Sequence, residues 1–215
     1  MTPTEIEDAA RQMYNSVGSA FFSQEEILNY IYFAEMDLAR KANAIQNVYS
    51  TPTIASTRDY TVPSNILSIK KITWDGVTLK KVDFQEDDLL TGWDEDTTIE
   101  GDPRYYVLWE NTISLRPIPS SVKTLKIWTY NYPQKAAATS TLSVPAQYHP
   151  DIVLYCLAHM VAKDEKYDLS DRYLIQWNTA VENAKREIVR NKRVDQFAHV
   201  KDEELLLNFN QVTGL

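Results

Sequence analysis

Ile27, Ile31, Ala34, Leu38, Ala42 and Ile45 recur at spacings of four, three, four, four and three. That is one continuous apolar stripe, and it predicts a long amphipathic helix over about 24–46. Ser23 three residues before Glu26 predicts a capping box at its start, and Pro52 marks the exit. A shorter helix capped by Thr2 or Thr4 is expected before it, ending near Tyr14. The same period returns near the other end, where Leu174, Trp177, Val181, Ala184 and Ile188 repeat at three, four, three and four. This seam, on a helix expected over 169–193 and opened by Asp168 or Ser170, suits antiparallel packing against a helix over 151–166. On that preceding helix Val153, Leu157, Met160 and Val161 fall near one face.

Between these blocks the pattern changes. Residues 48–132 are rich in Thr, Val, Ile and aromatics, with turn signals at short intervals, and read as strands. Asp75-Gly76 between 67–74 and 77–79 predicts a tight hairpin, since that dipeptide accepts the positive φ values such a turn needs. A short strand is expected at 58–63, a second hairpin from 105–109 and 113–116 around Asn111-Thr112, and a long strand over 123–132. On that strand Leu125 and Ile127 share one face, and Trp128, Tyr130 and Tyr132 the other. Asp83 to Leu90 is expected as a short acidic helix and 92–102 as an acidic loop. The resulting fold class is α+β: a helical bundle formed by N- and C-terminal helices with a β-rich insertion. The expected divisions are 1–47 and 145–194 for the two halves of the helical domain, 48–144 for the insertion, and 195–215 for an extended tail.

Chemistry-bearing constellations are sparse. His149, His159 and His199 have no His/Cys partner at metal-ligand spacing, so no metal site is expected. Neither glycine-rich phosphate loop nor nucleophile elbow is present, and the chain has only 5 glycines. The acidic runs Glu86-Asp87-Asp88 and Asp94-Glu95-Asp96 read as solvated loops, because catalytic carboxylate pairs face one another from separate elements. Asp164 to Asp168 reads as an exposed corner between helices. Cys156, the single cysteine, excludes an intramolecular disulfide and reads as a buried small hydrophobe. The expectation is therefore no enzyme and no cofactor.

A net charge of -8 disfavours general nucleic-acid binding, which needs cations to displace phosphate counterions. The one basic feature is Lys185, Arg186, Arg190, Lys192 and Arg193, expected in the last turns of a helix where they complement its dipole. The first residues show no leader-peptide pattern, and no apolar run reaches bilayer length. The 13 tyrosines and 5 tryptophans suit interfaces as well as strand cores. Candidate partner-binding residues are Trp128, Tyr130 and Tyr132 on the strand face, and Leu205, Leu206, Leu207 and Phe209 near the C-terminus.

Several phrases occur in a fixed order along the chain. Asp59-Tyr60-Thr61-Val62-Pro63-Ser64-Asn65-Ile66-Leu67 is similar to the Y-x-L-P-x-D-F phrase of the head-to-tail connector adaptor (head completion) proteins of tailed bacteriophages, with Val62 and Asn65 where leucine and aspartate are commoner. Gly101-Asp102-Pro103-Arg104-Tyr105-Tyr106 resembles G-x-P-x-x-Y. Ile113 to Pro119 resembles I-x-L-x-P-x-P, and Tyr130-Asn131-Tyr132-Pro133 resembles Y-x-x-x-P. Leu142 to His149 resembles L-P-x-x-Y-H, followed by two helices with a tryptophan, here Trp177. The likeness spans about residues 20–193.

The resemblance implies a structural virion protein at the head-tail junction, assembled in the host cytoplasm. It implies a homo-oligomeric ring, commonly a dodecamer, that binds the portal protein, carries later nozzle or fibre proteins, and lets viral DNA pass without specific binding. No membrane partner is implied. Two other readings are another tail component, such as a nozzle or tail completion protein, and a carbohydrate-binding module built on the aromatic residues.

Overall fold

A computed structural model describes residues 1–16, 18, 21–83 and 99–213, with side chains described through Arg190. The chain forms two compact units, Met1–Ala44 with Pro133–Leu215, and Ile45–Tyr132. The first is helical and the second is built from strands, so the fold is α+β with helices at both ends of the chain.

The helical unit contains α1 (Pro3–Met13), α2 (Gln24–Ala42), α3 (His149–Lys163) and α4 (Tyr167–Thr213). Helix α1 starts in a reciprocal capping box: Thr2 Oγ1 accepts the Glu5 N–H, and Glu5 accepts the Thr2 N–H at 2.9 Å. Helix α2 is capped by Ser23, whose hydroxyl accepts the Glu26 N–H at 3.2 Å. The expected return bond from Glu26 is replaced. Its carboxylate takes Lys163 Nζ at 2.6 Å and Tyr30 OH at 2.8 Å, stronger charge-assisted partners than a backbone amide.

Helix α2 stops at Ala42, four residues short of the expected end, because Asn43 adopts a left-handed conformation (φ 55°). The stripe residues Ile27, Ile31, Ala34, Leu38 and Ala42 are all buried. Helix α3 packs against α1, α2 and α4, and is apolar on most of its surface for that reason. Trp177, Val181, Ala184 and Ile188 of α4 are buried, and the Trp177 ring meets Tyr155 edge-on at 5.3 Å. Trp177 Nε1 donates to Asp37 Oδ2 of α2 at 3.1 Å, so the indole is anchored at its polar tip as well. Ser170 does not open α4. It lies inside the first turns and donates to the Ala158 carbonyl of α3 at 2.9 Å.

Two expectations at the C-terminus are corrected. Helix α4 continues to Thr213 where a stop near Arg193 and an extended tail were expected. Residues 194–213 hold no Gly or Pro, so nothing in them breaks a helix once it has started. Consequently Lys185 to Arg193 occupy the middle of α4, too far from its end to complement the dipole.

The strand unit contains β1 (Gln46–Pro52), β2 (Asp59–Thr61), β3 (Ile66–Trp74), β4 (Val77–Thr78), β5 (Lys80–Lys81), β6 (Glu100–Gly101), β7 (Tyr105–Trp109), β8 (Thr112–Arg116), β9 (Ile118–Pro119) and β10 (Thr124–Asn131). One sheet has the order β1-β10-β3-β4 and is antiparallel; a second has the order β2-β8-β7-β5; β6 and β9 form a parallel pair. Tyr49, Ile127 and Ile72 align across the first sheet, as do Leu125 and Trp74. Tyr60, Ile113 and Leu108 align across the second, with Leu115 opposite Tyr106. These rows meet in one core cluster.

Asp75 and Gly76 both have positive φ (50° and 82°) and join Trp74 to Val77 as the expected two-residue turn. The second hairpin turns at Glu110-Asn111, one residue earlier than expected, with Glu110 at φ 49° and Trp109 paired to Thr112. The insertion bounds also differ from 48–144. Residues 133–144 belong to the helical unit, where the Thr4 N–H and hydroxyl both reach the Ala138 carbonyl. The expected acidic helix after Asp83 and the runs Glu86-Asp87-Asp88 and Asp94-Glu95-Asp96 lie outside the described residues.

Candidate partner-binding surfaces

Strand β10 carries the aromatic face singled out by sequence. Its odd positions point into the core cluster at Leu125 and Ile127, then become polar. Buried Thr129 donates to Asn131 Oδ1 at 2.5 Å, and Asn131 Nδ2 donates to Tyr49 OH at 2.7 Å. Its even positions run from exposed Lys126 through half-buried Trp128 to buried Tyr130 and half-buried Tyr132. The Trp128 ring lies under Lys71 Nζ at 5.5 Å and, with Val48, Lys70 and Thr129, lines a shallow depression of about 320 Å³. The three aromatics therefore do not form one open platform. Tyr130 is only 8% exposed, and the offered part of this face is Trp128 beside exposed Val48 of edge strand β1. At Leu205, Leu206, Leu207 and Phe209 the backbone is part of α4; their side chains lie outside the described residues.

The helical unit presents two grooves flanking α4. One is an opening of about 430 Å³ between α3 and α4, with Leu154, Ile175 and Ala180 in its apolar part and Asp151 and Glu187 supplying charge. No lysine or arginine lines it. Gln147 Nε2 donates to Glu187 Oε1 at 3.3 Å, and burial raises the Asp151 carboxyl above the usual aspartate range. The second groove lies between α2 and α4, where Phe33, Arg40, Lys41, Tyr155 and His159 gather. Lys41 reaches Asp37 there at 2.8 Å. Sequence reasoning missed both grooves, because each is assembled from residues more than a hundred positions apart or on different helices.

Several titratable groups are held by structural contacts. Cys156 is fully buried, and burial pushes its thiol up. His159 stacks on Tyr30 at 5.1 Å, and burial lowers its pKa. His149 contacts the Val144 carbonyl through Nε2 at 2.9 Å; burial lowers it, with that contact opposing. Glu35 is fully buried. Its Oε1 accepts the N–H groups of Ser143 (2.6 Å) and Val144 (3.2 Å), while Oε2 has no partner among the described residues. Burial raises its carboxyl pKa above the usual range, the two N–H groups pulling the other way. At the α3–α4 corner Tyr14 OH donates to Asp164 Oδ2 and Lys166 Nζ lies 2.7 Å from the same carboxylate, an exposed cluster that clamps α1 to the corner. Among the described residues, no group of three His, Cys, Asp or Glu side chains is arranged to hold a metal, and no helix is long and apolar enough to cross a membrane.

The described residues thus form a helical unit and a strand unit whose openings are shallow. The chain belongs to the SU10 adaptor protein family, whose sequence model matches residues 1–201. It is thus a structural adaptor of a phage, part of the virion, that interacts with other phage head and tail proteins. No curated protein matches it.

Proposed function

We propose that this chain is the non-enzymatic adaptor that connects the phage portal protein to the tail, as a closed homo-oligomeric ring, a dodecamer in the simplest form. It assembles in the host cytoplasm, serves as the platform for nozzle or fibre proteins, and lines part of the channel through which viral DNA passes. The observation that carries this reading is the family match, which spans both units and reaches into the distal half of α4. The net charge of -8 agrees with a channel that DNA traverses without sticking. Helical residues beyond 193, including Leu205 to Phe209, supply a contact with the portal or an adjacent copy. Trp128 and Tyr132 supply a contact with a tail protein.

One alternative is disfavoured by a particular feature, and the other by none in the chain itself. A carbohydrate module needs a planar aromatic platform, and Tyr130 is buried. Another tail component differs in its place in the virion rather than in any residue here. Co-sedimentation with purified portal rings tests the reading. The full chain is expected to pellet with the portal, and a chain ending at residue 199 to lose that association. A full chain that stays in the supernatant overturns the proposal, and an equally retained truncated chain overturns the role of the distal helix.

A further inference from the structure

One face of the first sheet is basic, in a chain of net charge -8. Strands β1, β3 and β10 hold no Asp or Glu, and Lys70, Lys71 and Lys126 are exposed and in no ion pair among the described residues. Register sets these lysines beside an aromatic ring. Val48, Trp128 and Lys71 form one row across the three strands, and Ser50 and Lys126 belong to the next row on the same face. A bulge in β3 adds the third lysine. Trp128 pairs with Lys71 and Thr129 with Ile69, so Lys70 is left unmatched. Lys70 lines the depression next to Trp128 while Lys71 Nζ stands over the indole, and two consecutive lysines thus serve one face. Val48, 49% exposed, gives that face an apolar margin. The open edge of β1 is closed to strand addition, because Asn47 Oδ1 takes the Val48 N–H at 2.8 Å and Pro52 has no N–H. What this part of the sheet offers a partner is therefore side chains.

We propose that this face docks an extended acidic segment of a tail protein, with an apolar side chain seated in the depression beside Trp128. Lys126 stands one row from Lys71, two residues along the strand direction, or about 7 Å. Alternate side chains of an extended polypeptide repeat at the same distance on one side. Two carboxylates at positions i and i+2 therefore meet Lys126 and Lys71, and a leucine at i+4 reaches the depression, where Val48 and Trp128 take it out of water. Nucleic acid fits less well. It carries a charge at every phosphate and needs a continuing basic track, whereas this one ends after three lysines. Lys71 also occupies the indole face on which a base would stack. Assigning the segment to a tail protein rests on the adaptor reading above; the chemistry of the face does not.

Titrating the full chain with the capped peptide Glu-Thr-Glu-Thr-Leu tests the face, read at the indole N–H resonance of Trp128, which Trp128→Phe identifies. The peptide Gln-Thr-Gln-Thr-Leu is expected to bind at least about tenfold more weakly, the scale of one close charge pair. The same loss is expected for the glutamate peptide on a chain carrying Lys71→Glu and Lys126→Glu, with circular dichroism confirming its fold. Equal binding of the two peptides, or a shift by neither, overturns the face. An oligothymidylate of the same length that binds more tightly than the glutamate peptide makes this a nucleic-acid surface and overturns the proposal. Tighter peptide binding by a chain with Asp87→Asn, Asp88→Asn, Asp94→Asn and Asp96→Asn gives the face to the chain's own acidic runs, with the same consequence. The source is tested in phage particles assembled with the double lysine variant, which are expected to carry the portal and this chain but no tail. Complete tails overturn the assignment to a tail protein. So does loss of the variant from portal rings in co-sedimentation, which puts the portal or a neighbouring copy on this face. A wild-type chain that does not pellet with portal rings overturns the adaptor reading and leaves the peptide result standing.

Discussion

Replacing Thr53 with valine is expected to cost the strand unit about 2 kcal/mol, most of it through one indole. Thr53 is 1% exposed, and its hydroxyl oxygen accepts Trp74 Nε1–H at 3.3 Å and the Lys123 N–H at 3.0 Å. The same hydroxyl can donate to the carbonyls of Ser121 or Lys123. Valine keeps the shape, so no cavity opens, and β propensity does not fall. What changes is pairing. Trp74 is 2% exposed, so its N–H cannot turn to water, and a buried donor left unmade costs about 1–3 kcal/mol. The Lys123 amide sits beside a partly exposed side chain and can recruit solvent, so its share is smaller.

Urea denaturation followed by far-UV circular dichroism reads the change as a lowered midpoint at unchanged slope. Repeating the substitution in a Trp74→Phe background isolates the bond, because phenylalanine has no N–H to orphan. There the cost of Thr53→Val is expected to shrink by about 1.5 kcal/mol. Equal costs in the two backgrounds would refute the claim that the indole bond carries the effect.

Glu35→Gln is expected to flatten the pH dependence of stability. The folded carboxyl has a pKa raised above its unfolded value of about 4.3, so its contribution is fully present below that value and lost as pH rises through the folded pKa. Wild-type stability relative to the glutamine variant should therefore decline from about pH 4 toward neutrality, with denaturation midpoints as the readout; a constant difference contradicts the assignment. Gly76→Val is expected to cost about 1–2 kcal/mol from backbone strain alone, since φ is 82° and a Cβ there meets nothing within 4 Å. A midpoint unchanged in thermal melts would mean the turn rearranges without strain.

Much of the fold was written in short-range patterns. The stripe from Ile27 to Ala42 and the seam from Trp177 to Ile188 are buried because a helix period forces those residues onto one side. Asp75-Gly76 announced its hairpin because few other dipeptides tolerate two positive φ values. What pattern missed depends on distant partners. Glu26 left its own cap for Lys163, a residue 137 positions away. Two-residue strands such as β5, β6 and β9 have no period to read and exist through pairing with β7 and each other. Asn43 ended α2 inside an apolar stripe that otherwise ran on, an instance of local φ overriding periodicity. The candidate surfaces were legible only in part. Trp128 could be placed on a strand face, yet the burial of Tyr130 and the meeting of Asp151 and Glu187 in one groove between α3 and α4 required the folded chain.

Single-particle imaging of the full chain mixed with its portal protein tests the central claim most directly. The account predicts a closed ring of this chain, dodecameric in its simplest form, seated on the portal with an open axial channel. Portal rings that remain bare, or decorated by isolated copies that do not contact one another, would contradict it.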